Sequence, residues 1–130
     1  MVFNAKMETA LAPGPSMWGD SIRRRRCIVP SFGFYEPHIK DTHLSPKTGN
    51  PVKDQYCFRL PGSDIVWMAG VFGDGYFSIM TTVPNKWVKD IHPRMPVVLR
   101  SDEIGIWLYG EYAALADRKQ IQLESYKVAL

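Results

Sequence analysis

Apolar runs with strand-like spacing dominate the middle of the chain. Tyr56, Phe58 and Leu60 alternate with other residues, which is typical of a strand with one buried face. The run 65–72 is apolar throughout, as expected of a strand that is covered on both faces. Turns rich in glycine, proline and aspartate separate these runs, so we predict three strands joined as a meander. The predicted strands cover residues 54–60, 65–72 and 76–83.

The flanking segments carry weaker signals for further strands and for short helices. Gly33 separates two short strand-like runs and is expected to serve a bulge or a sharp bend. Residues 38–53 show no periodicity and contain turn-forming residues, so we predict an exposed loop there. Together the pattern predicts an α+β fold, with a β-rich curled or barrel-like sheet and a few short helices, in one domain over residues 1–130. The remaining predicted elements are strands at 27–31, 34–36 and 122–128, and helices at 84–89, 101–108 and 113–119.

The composition narrows the class of protein. With 130 residues, 45% of them hydrophobic, the chain is long enough for one compact domain and too apolar to be disordered. Its longest apolar run is far too short to cross a membrane, and no secretory signal pattern is visible, so we expect a cytoplasmic, nucleoid-associated protein without a membrane partner. Cys27 and Cys57 are expected to be unlinked thiols. No histidine or cysteine pair has the spacing of a zinc site, so neither a metal nor a cofactor is predicted.

Charge gives a weak indication of the partner. The formal net charge of +3 is compatible with nucleic-acid binding without being specific for it. Four consecutive arginines occupy residues 23–26. Such a run is commonly a solvated surface that keeps a strand edge soluble, and a contact with phosphate groups is the alternative. Both interpretations stay open.

Three segments far apart in the sequence each contribute one side chain suited to carbonyl chemistry. Asn4 supplies an amide, Glu36 a carboxylate that follows an aromatic run, and His92 an imidazole. Loss of hydration among aromatic rings raises the pKa of a carboxyl group, and histidine changes charge near neutral pH, so both suit proton transfer. From the residues alone, a solvent-exposed strand-end glutamate and a structural histidine are the commoner cases.

The motifs around these side chains resemble the SRAP family (SOS response-associated peptidases), whose members shield abasic sites in single-stranded DNA. Residues 4–9 (NAKMET) are similar to the family's Asn-Ala-Arg-x-Glu-Thr. Residues 33–36 (GFYE) match the start of its Gly-Phe-Tyr-Glu-Trp, and residues 91–97 (IHPRMPV) match its Ile-His-x-Arg-Met-Pro-Val. The resemblance implies that Asn4, Glu36 and His92 are the catalytic residues, which hold the sugar and move protons.

The resemblance also implies DNA contacts, with departures from the family pattern. Lys6 and Arg94 are expected to contact phosphate groups; Lys6 stands where the family has arginine and lacks the bidentate fork. A salt bridge that pins its loop is the alternative for Arg94. Residues 14–18 (GPSMW) replace the family's Lys-Pro-Ser-Phe-Arg, and Met17 or Trp18 is expected either to stack against a base or to belong to the core. Pro37 takes the place of the family's tryptophan.

The family's nucleophile is an N-terminal cysteine, whose amine forms an imine with the abasic-site aldehyde before its thiol closes a thiazolidine ring. The family is also thought to release this cysteine by autoproteolysis. The sequence begins Met1-Val2, so we expect the nucleophile to be absent and the domain to be partial, shortened at both ends relative to the family. Three hypotheses remain: an incomplete cross-linking enzyme, a non-covalent single-stranded DNA binder, and an inactive remnant or a subunit completed by self-association or by another chain.

Overall fold

A computed structural model describes residues 2–129, with side chains from residue 4 onward, as two β-sheets flanked by short helices. The helices are α1 (Met7–Leu11), α2 (Gly19–Arg24) and α3 (Ile104–Tyr109), with 3-10 turns at Ser101–Glu103 and Tyr112–Ala116. The strands are β1 (Val2–Lys6), β2 (Arg26–Ser31), β3 (Phe34–Leu44), β4 (Pro51–Arg59), β5 (Val66–Gly73), β6 (Tyr76–Thr82), β7 (Met95–Pro96), β8 (Val98–Leu99) and β9 (Glu124–Lys127).

The larger sheet has the strand order β1-β6-β5-β2, with β7 paired to β6 and β8 paired to β5. β1 runs parallel to β6, whereas β5 is antiparallel to both of its long neighbours. One face of this sheet packs on the helices, and Trp107 of α3 is fully buried there. Its indole Nε1 donates to the carbonyls of Cys27, at 2.9 Å, and Gly70, at 3.2 Å, which satisfies the buried donor.

The smaller sheet, β3-β4-β9, is antiparallel and shares a second core with the larger one. The rings of Phe34 and Phe58 stack 5.1 Å apart and pack with Val66 and Met68 of β5. The chain passes from the larger sheet to the smaller one at Gly33, where a Cβ atom would lie 2.8 Å from the carbonyl oxygen of Phe58. The prediction of a sharp bend at Gly33 is therefore confirmed, and the close approach of two backbones explains why the residue is glycine.

The predicted class, a β-rich curled sheet with a few short helices, is confirmed, but the predicted meander is wrong. β4 and β5 follow each other in sequence and lie in different sheets, so the turn between them joins no hairpin. The apolar run in β5 is covered on both faces, because Ala69 and Val71 belong to the core beside the helices and Val66 and Met68 to the core shared with the smaller sheet. Only the pairing of β5 with β6 follows the predicted order.

The predicted loop at residues 38–53 is also wrong, because β3 and β4 continue through it as a long hairpin. Its strands are mostly exposed, so their backbones pair without the apolar alternation that reveals a strand in a sequence. The register jumps between the pairs Pro37–Gln55 and Thr42–Lys53, which makes residues 38–41 a bulge. Ile39 N in this bulge donates to Ile91 O at 2.7 Å and so ties the hairpin to the segment that carries His92.

Helix predictions near the C-terminal half hold only in part. Residues 101–108 do form a 3-10 turn followed by α3, and the last strand is present as β9. The predicted helix at 84–89 is a set of turns instead. The carbonyl of Asn85 accepts from Val88 N and Lys89 N, and that of Val88 accepts from Ile91 N and His92 N. Pro93 has no N–H to continue the series. The predicted helix at 113–119 is the short 3-10 turn Tyr112–Ala116. Strand β1 carries no sequence prediction at all.

Arg25 and Arg26 of the arginine run make internal contacts, whereas Arg23 and Arg24 are exposed. Arg25 donates to Asp20 Oδ2 and to Phe72 O, both at 2.8 Å. Arg26 donates to the Trp107 and Leu108 carbonyls, at 2.5 and 3.0 Å, and joins β2 to α3. Both cysteines are free thiols, as predicted. Within residues 2–129, no helix is long and apolar enough to cross a membrane.

Candidate functional site

A small cleft gathers side chains from four separate segments of the chain. The parallel register of β1 and β6 sets Asn4 opposite Ile79 and Lys6 opposite Thr81, while Ala5 between them is fully buried. Strand alternation therefore turns Asn4 and Lys6 toward the same side. The cleft has a volume of about 160 Å³ and adjoins a cavity of about 350 Å³ that shares three of its residues and extends to Ser31. Its lining residues are Asn4, Lys6, Glu36, Thr81, His92 and Arg94.

Glu36 and His92 face each other in this cleft as a hydrogen-bonded pair. His92 Nε2 lies 2.8 Å from Glu36 Oε2, and His92 Nδ1 lies 2.9 Å from the carbonyl oxygen of Pro37. A carbonyl oxygen only accepts, so Nδ1 must carry a hydrogen. Because Nε2 and Oε2 are within bonding distance, one proton lies between them, either on the imidazole or on the carboxyl group. The pair therefore holds a proton that it can give up on the cleft side.

Burial changes the acidity of the Glu36 carboxyl group in this pair. It raises the pKa of Glu36 above its ordinary value, and the opposing attraction of His92 offsets only part of this effect. The side chain is mostly withdrawn from water, because it lies between the two sheets. A carboxyl group that binds its proton more tightly suits general acid–base work near neutral pH.

Replacing Glu36 with glutamine tests this environment through the pH dependence of stability. A raised folded-state pKa contributes stability below the unfolded-state pKa, and this contribution is lost as the pH rises through the folded-state value. Glu36→Gln should therefore unfold at the same urea concentration as the parent near about pH 4, and at a higher concentration near about pH 8.

Glu8→Gln is the matched control with the opposite sign. The hydrogen bond from Arg94 lowers the pKa of Glu8, so this carboxylate contributes stability above its unfolded-state pKa. Glu8→Gln should match the parent in acid and be less stable than the parent near about pH 8. If both variants shift in the same direction with pH, the difference between the two carboxyl environments is not present in solution.

Arg94 lines the cleft but is not a free rim cation. Its guanidinium binds both carboxylate oxygens of Glu8, at 2.6 and 3.1 Å, and donates to Thr81 Oγ1 at 3.1 Å. This is the salt bridge that the sequence analysis leaves open as the alternative to a phosphate contact. Lys6 differs, because it is exposed and no ion pair involving it occurs among the described residues. Lys6 is therefore the lining cation without an ion pair among the described residues, although its charge helps to lower the pKa of Glu8.

Met17 and Trp18 do not line the cleft. Trp18 is buried in the core of the larger sheet, 6.4 Å edge-on from the ring of Tyr76, so its indole offers no face to a base. The structure thus favours the core alternative for Trp18, because a buried ring is not accessible to a base. Met17 beside it is 73% exposed, so it remains available for contact, although away from the lining residues.

The remaining candidates are placed as follows. Neither Cys27 nor Cys57 lines the cleft. Burial raises the pKa of Cys27 on β2, and Cys57 is buried on β4. Met1 and the side chain of Val2 lie outside the described residues. Within those residues, no group of three or more histidine, cysteine or acidic side chains is placed to hold a metal ion.

Sequence analysis missed two participants, Thr81 and the carbonyl of Pro37. Thr81 lies in β6 at the position opposite Lys6, and its hydroxyl accepts from Arg94. β6 also contains Ser78 and Thr82, so a polar residue in this strand does not by itself identify Thr81. No signal in the sequence indicates the Pro37 carbonyl, because a backbone acceptor depends on geometry alone.

A larger cavity of about 520 Å³ lies beside Arg25 and Phe72, where the arginine is already bound to Asp20.

Comparison with known proteins adds a family and a fold. A family model described as SOS response associated peptidase (SRAP) matches residues 1–129. The abasic site processing protein YoqW of Bacillus subtilis (strain 168) is 34% identical over 116 residues, which are 82% of this chain and 47% of that protein. The abasic site processing protein YoaM of the same organism is 37% identical over 93 residues, 65% of this chain and 37% of that protein. The chain spans about half the length of the curated relatives it matches, or less.

Solved structures share the architecture. A protein from Bacteroides thetaiotaomicron superposes with a TM-score of 0.71 and 26% identity over 97% of this chain and 58% of its own. A phage-related protein from Bordetella bronchiseptica gives a TM-score of 0.66 and 26% identity over 99% of this chain and 64% of its own. The fold of this chain therefore recurs in these structures.

Proposed function

Because the chain belongs to the SOS response associated peptidase (SRAP) family, we propose that its cleft binds single-stranded DNA at an abasic site. The observation that carries the proposal is the convergence of an amide, a proton-sharing carboxyl–imidazole pair and an unpaired lysine in one small cavity. Relatives named abasic site processing proteins support the choice of substrate.

The size and charge of the cleft support the same ligand. The cleft of about 160 Å³ is large enough for a sugar that has lost its base, and the adjoining cavity of about 350 Å³ leaves room for the strand beside it. Asn4 offers both a donor and an acceptor for sugar oxygens. Lys6 supplies a positive charge at the opening, where a flanking phosphate would pass.

The proposed binding involves no covalent bond from Cys27 or Cys57. The cross-link and the autopeptidase reaction expected for the family need a cysteine in the cleft. Cys27 and Cys57 do not line it, so these two thiols provide no nucleophile there. Whether the chain has enzymatic activity then depends on its other groups.

Binding to matched oligonucleotides tests the function. We expect single-stranded DNA with one tetrahydrofuran residue, a stable abasic analogue, to bind more tightly than the intact strand or a duplex, with an affinity that falls as salt rises. Lys6→Ala should weaken binding and reduce the slope of log affinity against log salt by about 0.7, the value for one contact to a single strand. Arg94→Ala should have a smaller effect, because Glu8 already compensates its charge. Fluorescence anisotropy at several salt concentrations measures all of these.

Lys47→Ala is the matched control, because Lys47 is exposed in the turn of the β3–β4 hairpin and does not line the cleft. It should bind like the parent. Equal affinity for abasic and intact strands, or an equal loss in Lys47→Ala and Lys6→Ala, would contradict the proposal.

A further inference from the structure

Lys6 places a primary amine in a cleft where the Glu36–His92 pair can accept and donate protons. Among the described residues that line the cleft, Lys6 alone carries such an amine. The related family motif has arginine at this position, and a guanidinium stays protonated and does not act as a nucleophile. Lysine can instead attack a carbonyl carbon and form a Schiff base. The exchange of one basic residue for the other therefore changes the chemistry available here, beyond the loss of a bidentate contact.

The surroundings of Lys6 leave its amine available. Its position on β1 is fixed by pairing with Thr81, while buried Ala5 holds the strand against the core. The nearest candidate carboxylate on α1, Glu8, is occupied by the bidentate bond from Arg94. The charge of Lys6 helps to lower the pKa of Glu8, but both carboxylate oxygens bind Arg94, and Lys6 makes no ion pair with them.

We propose that Lys6 forms an imine with the aldehyde of an abasic site held in the cleft. The inference rests on the proposed function, since the cleft must first bind the abasic sugar. It names a reactive group that does not depend on a thiol and gives the chain a reversible covalent activity.

Atoms and charges balance without a redox partner. The Lys6 ammonium gives one proton to the Glu36–His92 pair, and the free amine attacks the aldehyde carbon. The carbonyl electron pair moves to oxygen, which takes the proton back from the pair. Loss of a second proton from nitrogen and its delivery to the hydroxyl group expel water and leave the protonated imine. The net change is ammonium plus aldehyde to iminium plus water, and the pair returns to its one-proton state.

Borohydride trapping tests the inference directly. Borohydride reduces the imine formed with single-stranded DNA that carries a natural abasic site to a stable amine, which a denaturing gel resolves. We expect a trapped product from the parent chain, at least about tenfold less from Lys6→Arg, and an unchanged amount from Lys47→Arg. Mass spectrometry of the digested product should locate the adduct on Lys6. A product of parental yield in Lys6→Arg, or an adduct mapped to the terminal amine or another lysine, would overturn the proposal.

The tetrahydrofuran oligonucleotide separates the two claims, because it has no aldehyde and reports binding alone. Lys6→Arg keeps a positive charge for the phosphate contact, so trapping by parent and variant is compared at DNA concentrations that saturate each of them with this analogue. Tight binding of the analogue by the parent without any trapped product would reject the imine and leave the proposed function standing. No preference for the abasic analogue would reject both.

Discussion

Replacing Arg118 with alanine is expected to lower the free energy of unfolding by about 3–5 kcal/mol, since it would leave a buried carboxylate without its partner. Arg118 binds both oxygens of Glu103, at 2.8 and 3.0 Å, and donates to Val98 O at 3.0 Å. Its side chain is 6% exposed and that of Glu103 is 11% exposed, so water cannot replace the lost bonds. Urea and thermal unfolding measure the effect, and the thermal midpoint should fall by more than about 10 °C.

The same substitution should disturb the cleft. Asn85 Nδ2 donates to the carbonyls of Arg118 and Ile121, both at 2.9 Å, and Asn85 begins the turns that lead to His92. Arg100→Ala is the matched control, because Arg100 is exposed and makes one side-chain bond, at 3.3 Å to Gln120 O. A loss in Arg118→Ala no larger than in Arg100→Ala would show that the buried pair contributes little.

A second large effect is expected from His92→Asn, which should slow the borohydride-trapped reaction with abasic DNA by about 10²-fold or more. Asparagine can keep a donor toward Pro37 O, but it cannot take up and return a proton. Binding of the tetrahydrofuran analogue should stay near the parental value, because His92 serves proton transfer rather than phosphate contact. Initial rates of trapping and anisotropy titrations, measured on the same preparations, separate the two effects.

His43→Asn is the control for loss of a histidine elsewhere. His43 Nδ1 lies 2.7 Å from Asp54 Oδ1 on the β3–β4 hairpin, away from the lining of the cleft. This variant should trap abasic DNA at the parental rate. If His92→Asn also traps at that rate, or loses binding and trapping in equal measure, His92 is not the proton carrier that the geometry suggests.

The parts of the fold that sequence could predict are those with buried, regular patterns. The apolar run of β5 and the alternation in β4 identify strands because burial imposes a period on the side chains. That period does not indicate which strand pairs with which, so the sequence predicts a hairpin of β4 and β5 that the fold does not contain. The β3–β4 hairpin was missed for the opposite reason, since exposed strands need no apolar period.

The site was predictable as a set of residues and not as a geometry. Asn4, Glu36 and His92 could be selected because their motifs resemble a known family, and the structure brings them into one cleft. Their catalytic roles stay predictions. The bond from Arg94 to Glu8 depends on where α1 meets the cleft, and the bond from His92 to Pro37 O depends on a backbone group. Neither relation is encoded by the identity of a single residue.

The parallel pairing of β1 with β6 has a consequence for biosynthesis. Asn4 and Lys6 leave the ribosome long before their partners Ile79 and Thr81, because the strands that pair are far apart in the sequence. Pairing across so long a loop is slow, because closure entropy is lost before the contacts form. During translation β1 therefore stays unpaired until β6 has emerged, and the cleft forms only after that pairing. A nascent chain stalled before β6 would carry Asn4, Lys6 and Glu36, but neither the strand that pairs with β1 nor Thr81, His92 and Arg94.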